Sequence, residues 1–187
     1  MSDAKHADQL VKYSRFLSMV LRHKPETIGL TLDAEGWADV DMLLAGAARS
    51  GRIISLPLLK QIVADNDKKR FSFSDDFRRI RAVQGHSVEV ELGYPPAEPP
   101  PELYHGTIGD AVGQVFKDGL KPMSRQQVHL SADLDTARKV GARRGRPVIL
   151  RVDSAAAAQA GILFYRSDNG VWLVDHMPAQ YLSVFER

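Results

Sequence analysis

The chain of 187 residues contains no cysteine, which excludes disulfides, thiolate metal sites and a cysteine nucleophile. It also lacks any apolar run near the ~18 residues that a membrane span requires. The polar start, Met1 to Leu10, has no apolar stretch of the kind that a secretion signal carries. A cytoplasmic protein with no membrane attachment is the expectation. Charge of one sign is missing as well: 25 basic side chains stand against 23 acidic ones, a net of +2. A nucleic-acid partner must therefore be argued from local clusters and not from total charge. The carboxylates are scattered without the spacing of a metal-ligand set, so no metal is expected. What remains is 44% hydrophobic and 26% charged, ordinary for a globular chain, with length for one large domain or two small ones.

Proline supplies the clearest break. Tyr94-Pro95-Pro96-Ala97-Glu98-Pro99-Pro100-Pro101 holds five prolines in seven residues, which cannot continue a helix or a central strand and favour an extended, semi-rigid spacer. The expected organisation is a domain over 1–93, a proline-rich linker over 94–101, and a domain over 102–187, with no internal repeat between the halves. In the first, apolar residues at helical spacing run from His6 to Arg22 and stop before Lys24-Pro25. Asp39 is placed to cap a helix carrying Val40, Leu43, Leu44 and Ala47, and Ser55-Leu56-Pro57 opens another. Arg70–Ser74 and Arg79–Val83 alternate as two strands about an Asp75-Asp76 turn. Three helices followed by a two-stranded ribbon outline a winged helix, though fold alone does not fix function.

The second half alternates between the two periods. Strands are expected around Leu103–His105 and Val128–Leu130, a buried one over Pro147–Val152, and helices over Asp110–Lys117, Asp133–Arg144 and Ser154–Ala160. Ser167-Asp168-Asn169-Gly170 reads as the turn of a hairpin, and Tyr181–Phe185 as an edge strand. The expected class is α+β, with a mixed α/β second domain.

Chemistry is concentrated in a few segments. Tyr104-His105-Gly106-Thr107 and Val128-His129-Leu130-Ser131 each deliver a histidine from the end of an apolar run, with a small or hydroxyl residue close by. Two imidazoles and a glycine that admits close backbone approach make a cleft suited to a ribose and a flat aromatic ring. Three basic knots accompany them: Arg22-His23-Lys24 at a helix end, Lys68-Lys69-Arg70 before a strand, and Arg138 to Arg146, with five cations and no acid in nine residues. Arginine is suited to gripping phosphate through two parallel hydrogen bonds. Gln84-Gly85-His86-Ser87 adds further donors for an anion.

The histidine pair resembles the NAD-binding core of ADP-ribosyl transferases, in which the first histidine holds a ribose hydroxyl. With Leu21-Arg22-His23-Lys24-Pro25, Gly36-Trp37-Ala38-Asp39, Asp67-Lys68-Lys69-Arg70-Phe71, Ile80 to Ser87, Ala137-Arg138-Lys139-Val140-Gly141 and Asn169-Gly170-Val171-Trp172-Leu173 in order, the whole chain is similar to the RNA 2′-phosphotransferase family. The resemblance implies a winged-helix lobe that binds the RNA phosphate, and an ADP-ribosyltransferase-like lobe that binds NAD as co-substrate. It places a catalytic Arg-His-Arg-Arg tetrad on Arg22, His23, Arg70 and Arg138, the last by its position in the Ala-Arg-Lys motif in preference to Arg143. NAD contacts are implied for Tyr104, His105, Gly106, Thr107, His129, Leu130 and Ser131, and RNA-phosphate contacts for Lys69, Gln84, His86, Ser87 and Arg143. The implied reaction removes an internal 2′-phosphate from RNA through a phospho-ADP-ribosylated RNA, and yields ADP-ribose 1″,2″-cyclic phosphate and nicotinamide. No protein partner is implied. Two alternatives stand beside it: ADP-ribosylation of terminal nucleic-acid phosphates, and a winged-helix regulator that senses a nucleotide. A protein-modifying transferase fits less well, because the Asn169–Leu173 segment lacks a glutamate.

Overall fold

A computed structural model describes residues 2–186. The chain forms two compact units, Met1–Gly93 and Tyr94–Arg187. It is a mixed α/β protein built from helices and small antiparallel sheets.

The first unit begins with α1 (Ser2–Arg22), which starts earlier than the apolar periodicity indicates. Phe16, Leu17, Val20 and Leu21 form its buried stripe. Pro25 cannot extend the helix and instead opens a short 3₁₀ turn, Pro25–Ile28. The Asp39 carboxylate accepts the Met42 amide at 2.9 Å and caps α2 (Val40–Arg49). The Ser55 hydroxyl likewise accepts the Leu58 amide at 3.3 Å at the head of α3 (Leu56–Ala64). The expected two-stranded ribbon is in fact a three-stranded sheet. A two-residue strand β1 (Ala38–Asp39) pairs with β3 (Arg79–Ala82), whose other neighbour is β2 (Phe71–Phe73). Two residues are too few to show a period of two, so β1 leaves no sequence signal. Alternation turns Phe71, Ile80 and Ala82 into the core shared with Leu17, Leu21, Leu43 and Leu59.

His86 is packed into this unit with 2% of its surface exposed, its Nε2 beside Gly36. A β-carbon at Gly36 would come within 3.3 Å of that nitrogen, and the glycine adopts φ +81, where other residues are strained. Neither ring nitrogen of His86 has a hydrogen-bond partner. Burial, then the charges of Arg22, His23 and Arg81, lower its pKa from 6.5 to about 4, so the ring is neutral at pH 7.

The second unit comprises β4 (Glu102–Ile108), α4 (Gly109–Asp118), β5 (Val128–Leu130), α5 (Leu134–Gly141), β6 (Pro147–Asp153), α6 (Ser154–Gln159), β7 (Tyr165–Arg166), β8 (Trp172–Val174) and β9 (Leu182–Glu186). They form two antiparallel sheets of order β4-β6-β9 and β5-β8-β7. The apolar run of β6 is the central strand of its sheet, and Trp172 lies in the core at 7% exposure. Residues 94–101 are bonded into this unit: the Ala97 amide donates to the Phe164 carbonyl at 2.8 Å, and the Ser154 hydroxyl to the Pro100 carbonyl at 2.6 Å. Asp133 caps α5 through the Thr136 amide at 2.7 Å. The α-helix ends at Gly141 and tightens into a 3₁₀ turn, Ala142–Arg144, so it is shorter than the expected Asp133–Arg144.

Small residues let α5 lie directly on β4. A β-carbon at Gly106 would collide with the Ala137 carbonyl oxygen and come within 2.8 Å of the Gly141 nitrogen, and one at Gly141 would sit 2.9 Å from Pro147. Gly106 is thus required for helix packing, and the close approach it admits is that of α5.

Gly106→Ala should destabilise the second unit by about 2 kcal/mol, as overpacking does, in denaturant unfolding; wild-type stability would contradict this crossing. His86 should titrate near pH 4 by NMR. Its folded pKa lies below its unfolded value of 6.5, so the unfolded chain takes the proton first. Stability is therefore full above 6.5 and falls by up to about 3 kcal/mol as the pH drops towards 4. Titration near 6.5 would place the ring in water instead.

Candidate active site

In the first unit the expected residues are drawn together by one segment of main chain, residues 83–88. The Val83 amide donates to the Arg70 carbonyl at 3.0 Å. Four residues on, the Ser87 amide donates to the Arg22 carbonyl at 2.9 Å, joined by the Val88 amide at 3.3 Å. Four residues span at most about 14 Å, so the end of α1 and the start of β2 are held in one neighbourhood. Arg22 is buried, with 9% of its surface exposed, whereas His23 at the next position is exposed. His23 Nδ1 lies 2.9 Å from Ser87 Oγ.

Arg70 is oriented by a residue outside the sequence motifs. The Asn66 side chain, 8% exposed, accepts from Arg70 at 3.1 Å and from the Lys68 amide at 3.2 Å, while its Nδ2 donates to Ser14 Oγ of α1 at 3.0 Å. The side-chain oxygen bonding two residues on is the mark of an Asx turn, and Asn66 before Asp67-Lys68 is the signal that reveals it. The same turn puts Lys69 in the left-handed region at φ 40, with its side chain exposed. Gln84 is half-buried in the 83–88 segment.

In the second unit the two histidines meet where the two sheets touch. Tyr104 and Ser131 form an isolated antiparallel bridge, with amide–carbonyl distances of 2.7 and 2.8 Å. Beyond it, the His105 ring lies against β5: Nδ1 is 3.0 Å from the His129 carbonyl. A carbonyl only accepts, so Nδ1 carries the proton and Nε2 is an acceptor. Burial lowers the His105 pKa, which outweighs the opposing bond to His129, and Arg125 adds to the lowering. The ring is held neutral. His129 is set the other way. Its Nδ1 accepts from the Arg125 guanidinium at 2.9 Å, which leaves the neutral ring's proton on Nε2. One ring therefore offers an acceptor and the other a donor, a pair matched to sugar hydroxyls. Arg125, in the loop before β5, is a second residue that the motifs did not point to.

Other expected contacts are distributed differently. Alternation sends Tyr104 and His105 to opposite faces of β4. The Tyr104 hydroxyl donates to Glu102 at 3.1 Å, and its ring packs edge-on to Phe185 at 5.5 Å. The Leu130 side chain is buried in the core, 2% exposed. Ser131 Oγ donates to the Asp133 carbonyl at 2.9 Å, and Thr107 pairs with Val148 in the ladder. Arg138 follows Ala137, the residue packed on Gly106, and forms an ion pair with Asp135 at 2.8 Å. Arg143 is exposed in the 3₁₀ turn after α5. Among the described residues no three His, Asp or Glu side chains gather as a metal site would require, and no helix is long and apolar enough to cross a membrane.

The family model described as RNA 2'-phosphotransferase, Tpt1 / KptA family matches residues 8–176. A protein of Burkholderia pseudomallei named probable RNA 2'-phosphotransferase is 56% identical over 169 residues, 90% of this chain and 92% of that one. Proteins of the same name from Hahella chejuensis and Agrobacterium fabrum are 55% identical over 178 residues and 56% identical over 171. These cover 95% and 91% of this chain, and 96% and 92% of theirs. With the family match spanning both units and relatives more than half identical across nine-tenths of the sequence, the chain belongs to the RNA 2′-phosphotransferase family and is a transferase.

Proposed function

We propose that this protein transfers an internal RNA 2′-phosphate to NAD, leaving a 2′-hydroxyl on the RNA. The observation that carries the reading is the tie made by residues 83–88, which gathers Arg22, His23 and Arg70. In this account 1–93 is a winged-helix lobe for the RNA phosphate, 94–101 a proline-rich connection, and 102–187 an ADP-ribosyltransferase-like lobe for NAD. The protein is cytoplasmic and works without a metal.

The RNA 2′-phosphate attacks C1″ of the nicotinamide ribose and nicotinamide leaves, which gives phospho-ADP-ribosylated RNA. The ribose 2″-hydroxyl then attacks that phosphorus and the RNA 2′-oxygen departs, which releases ADP-ribose 1″,2″-cyclic phosphate. A phosphate monoester is already ionised near pH 7, so the first step needs alignment more than deprotonation. Arg22 and Arg70 supply that alignment through bidentate contacts, with Lys69, Gln84 and Arg143 along the adjoining phosphates. The second step gathers negative charge on phosphorus, which the guanidiniums of Arg22, Arg70 and Arg138 stabilise. His23 moves the proton between the attacking hydroxyl and the departing 2′-oxygen. His105 accepts a hydroxyl of the ribose at Nε2, and His129 donates from its own. This is supported by the fixed tautomers of the two rings. The backbone from Tyr104 to Thr107 and the segment through Leu130 and Ser131 complete the NAD contacts.

Alanine at Arg22, His23, Arg70 or Arg138 should slow the second step by ~10²–10³, the cost of losing one preorganised donor, while nicotinamide release continues. The phospho-ADP-ribosylated RNA should then build up as a slower-migrating band on a gel. Lysine at the arginine positions should rescue only in part, since an ammonium lacks the fork. Variants that all slow substrate consumption with no intermediate would reassign the four to binding. His105→Ala should raise the KM for NAD about tenfold, the loss of about one hydrogen bond, with RNA binding unchanged. Equal loss of both would make His105 a structural residue.

A further inference from the structure

The loop from Gly85 to Val88 grips the end of α1 by main chain and by side chain together. The Arg22 carbonyl accepts the Ser87 amide at 2.9 Å and the Val88 amide at 3.3 Å. Ser87 Oγ lies 2.9 Å from His23 Nδ1, and its hydroxyl is directed at the same Arg22 carbonyl at 3.5 Å. A hydroxyl has one proton to give. When that proton goes to the carbonyl, Oγ presents lone pairs to the imidazole and Nδ1 is the donor. We propose that Ser87 is a positioning residue for His23, holding the ring in its Nδ1–H tautomer through an imidazole–hydroxyl–carbonyl chain. Nε2 is then the nitrogen that takes and returns the proton in the transfer. This rests on the proton-transfer role proposed above for His23.

The surroundings favour this direction of the chain. The Arg22 carbonyl lies at the C-terminal, negative end of the α1 dipole, which attracts the hydroxyl proton. When Nε2 gains a proton, the Nδ1–H bond to Oγ persists, so the ring need not turn during the reaction. Ser87 is itself fixed. Gly85 takes the left-handed turn at φ 88, and the neighbouring His86 anchors the loop in the core of the unit with 2% exposure. Ser87 therefore acts in the proton transfer through His23.

The test is the tautomer of His23, read from long-range proton–nitrogen NMR correlations in the full chain with the ring neutral. Wild type should show the proton on Nδ1. Ser87→Ala keeps both main-chain bonds and should shift the ring towards the Nε2–H form. It should slow transesterification about tenfold, part of the ~10²–10⁴ that general acid–base catalysis contributes, with KM for NAD and RNA unchanged. Ser87→Thr restores the hydroxyl and should restore both tautomer and rate. An Nε2–H ring in wild type, or an unchanged tautomer or unchanged rate in Ser87→Ala, overturns the assignment of Ser87. A wild-type second step in His23→Ala overturns instead the role of His23 itself, so the two failures are told apart.

Discussion

The bond from the Ser87 amide to the Arg22 carbonyl is the constraint on which the arrangement of Arg22, His23 and Arg70 depends. It stops the last turn of α1 from fraying, where helix carbonyls lack internal partners, and so fixes the backbone of Arg22 and His23. The same segment receives Arg70 four residues earlier through Val83. Two cations and an imidazole are thereby held by main-chain geometry, which is cheaper in entropy than ordering long side chains by surface ion pairs. Within the segment, the neutral ring of His86 fills space beside Gly36 without adding a further positive charge.

The second unit uses a different device. Its strands β4 and β5 belong to separate sheets, and beyond the Tyr104–Ser131 bridge the contact passes to a side chain, the His105 ring on the His129 carbonyl. That substitution leaves ring edges where a ladder would have left only backbone, and it fixes which nitrogen is protonated. The crossing of α5 over Gly106 sets Arg138 by a similarly close approach, here of helix onto strand.

Much of this was legible in the residues. Asp39 and Ser55 announced their helices, because a capping side chain acts within three residues of itself. Alternation located β2 and β3 to within a residue or so, but β1 is too short to alternate. In the site, the motifs named His105 and His129, yet not that Tyr104 faces away from His105. A period of two in β4 separates those neighbours, although adjacency in the motif suggested a shared role. Asn66 and Arg125 each act on a residue four positions away, Arg70 and His129, through loop contacts that no helix or strand period marks, and only the folded chain creates the Asn66 bond to Ser14 across 52 positions. The motif suggests the approach of a ligand at Gly106, and the element packed there is α5.

In the proposed reaction the phosphate leaves RNA on an NAD-derived product. An oligonucleotide radiolabelled at one internal 2′-phosphate, incubated with the protein and NAD, tests it directly. The label should appear in ADP-ribose 1″,2″-cyclic phosphate, in step with nicotinamide release, and should stay on the RNA when NAD is withheld. Label released as inorganic phosphate, or released equally without NAD, would contradict it.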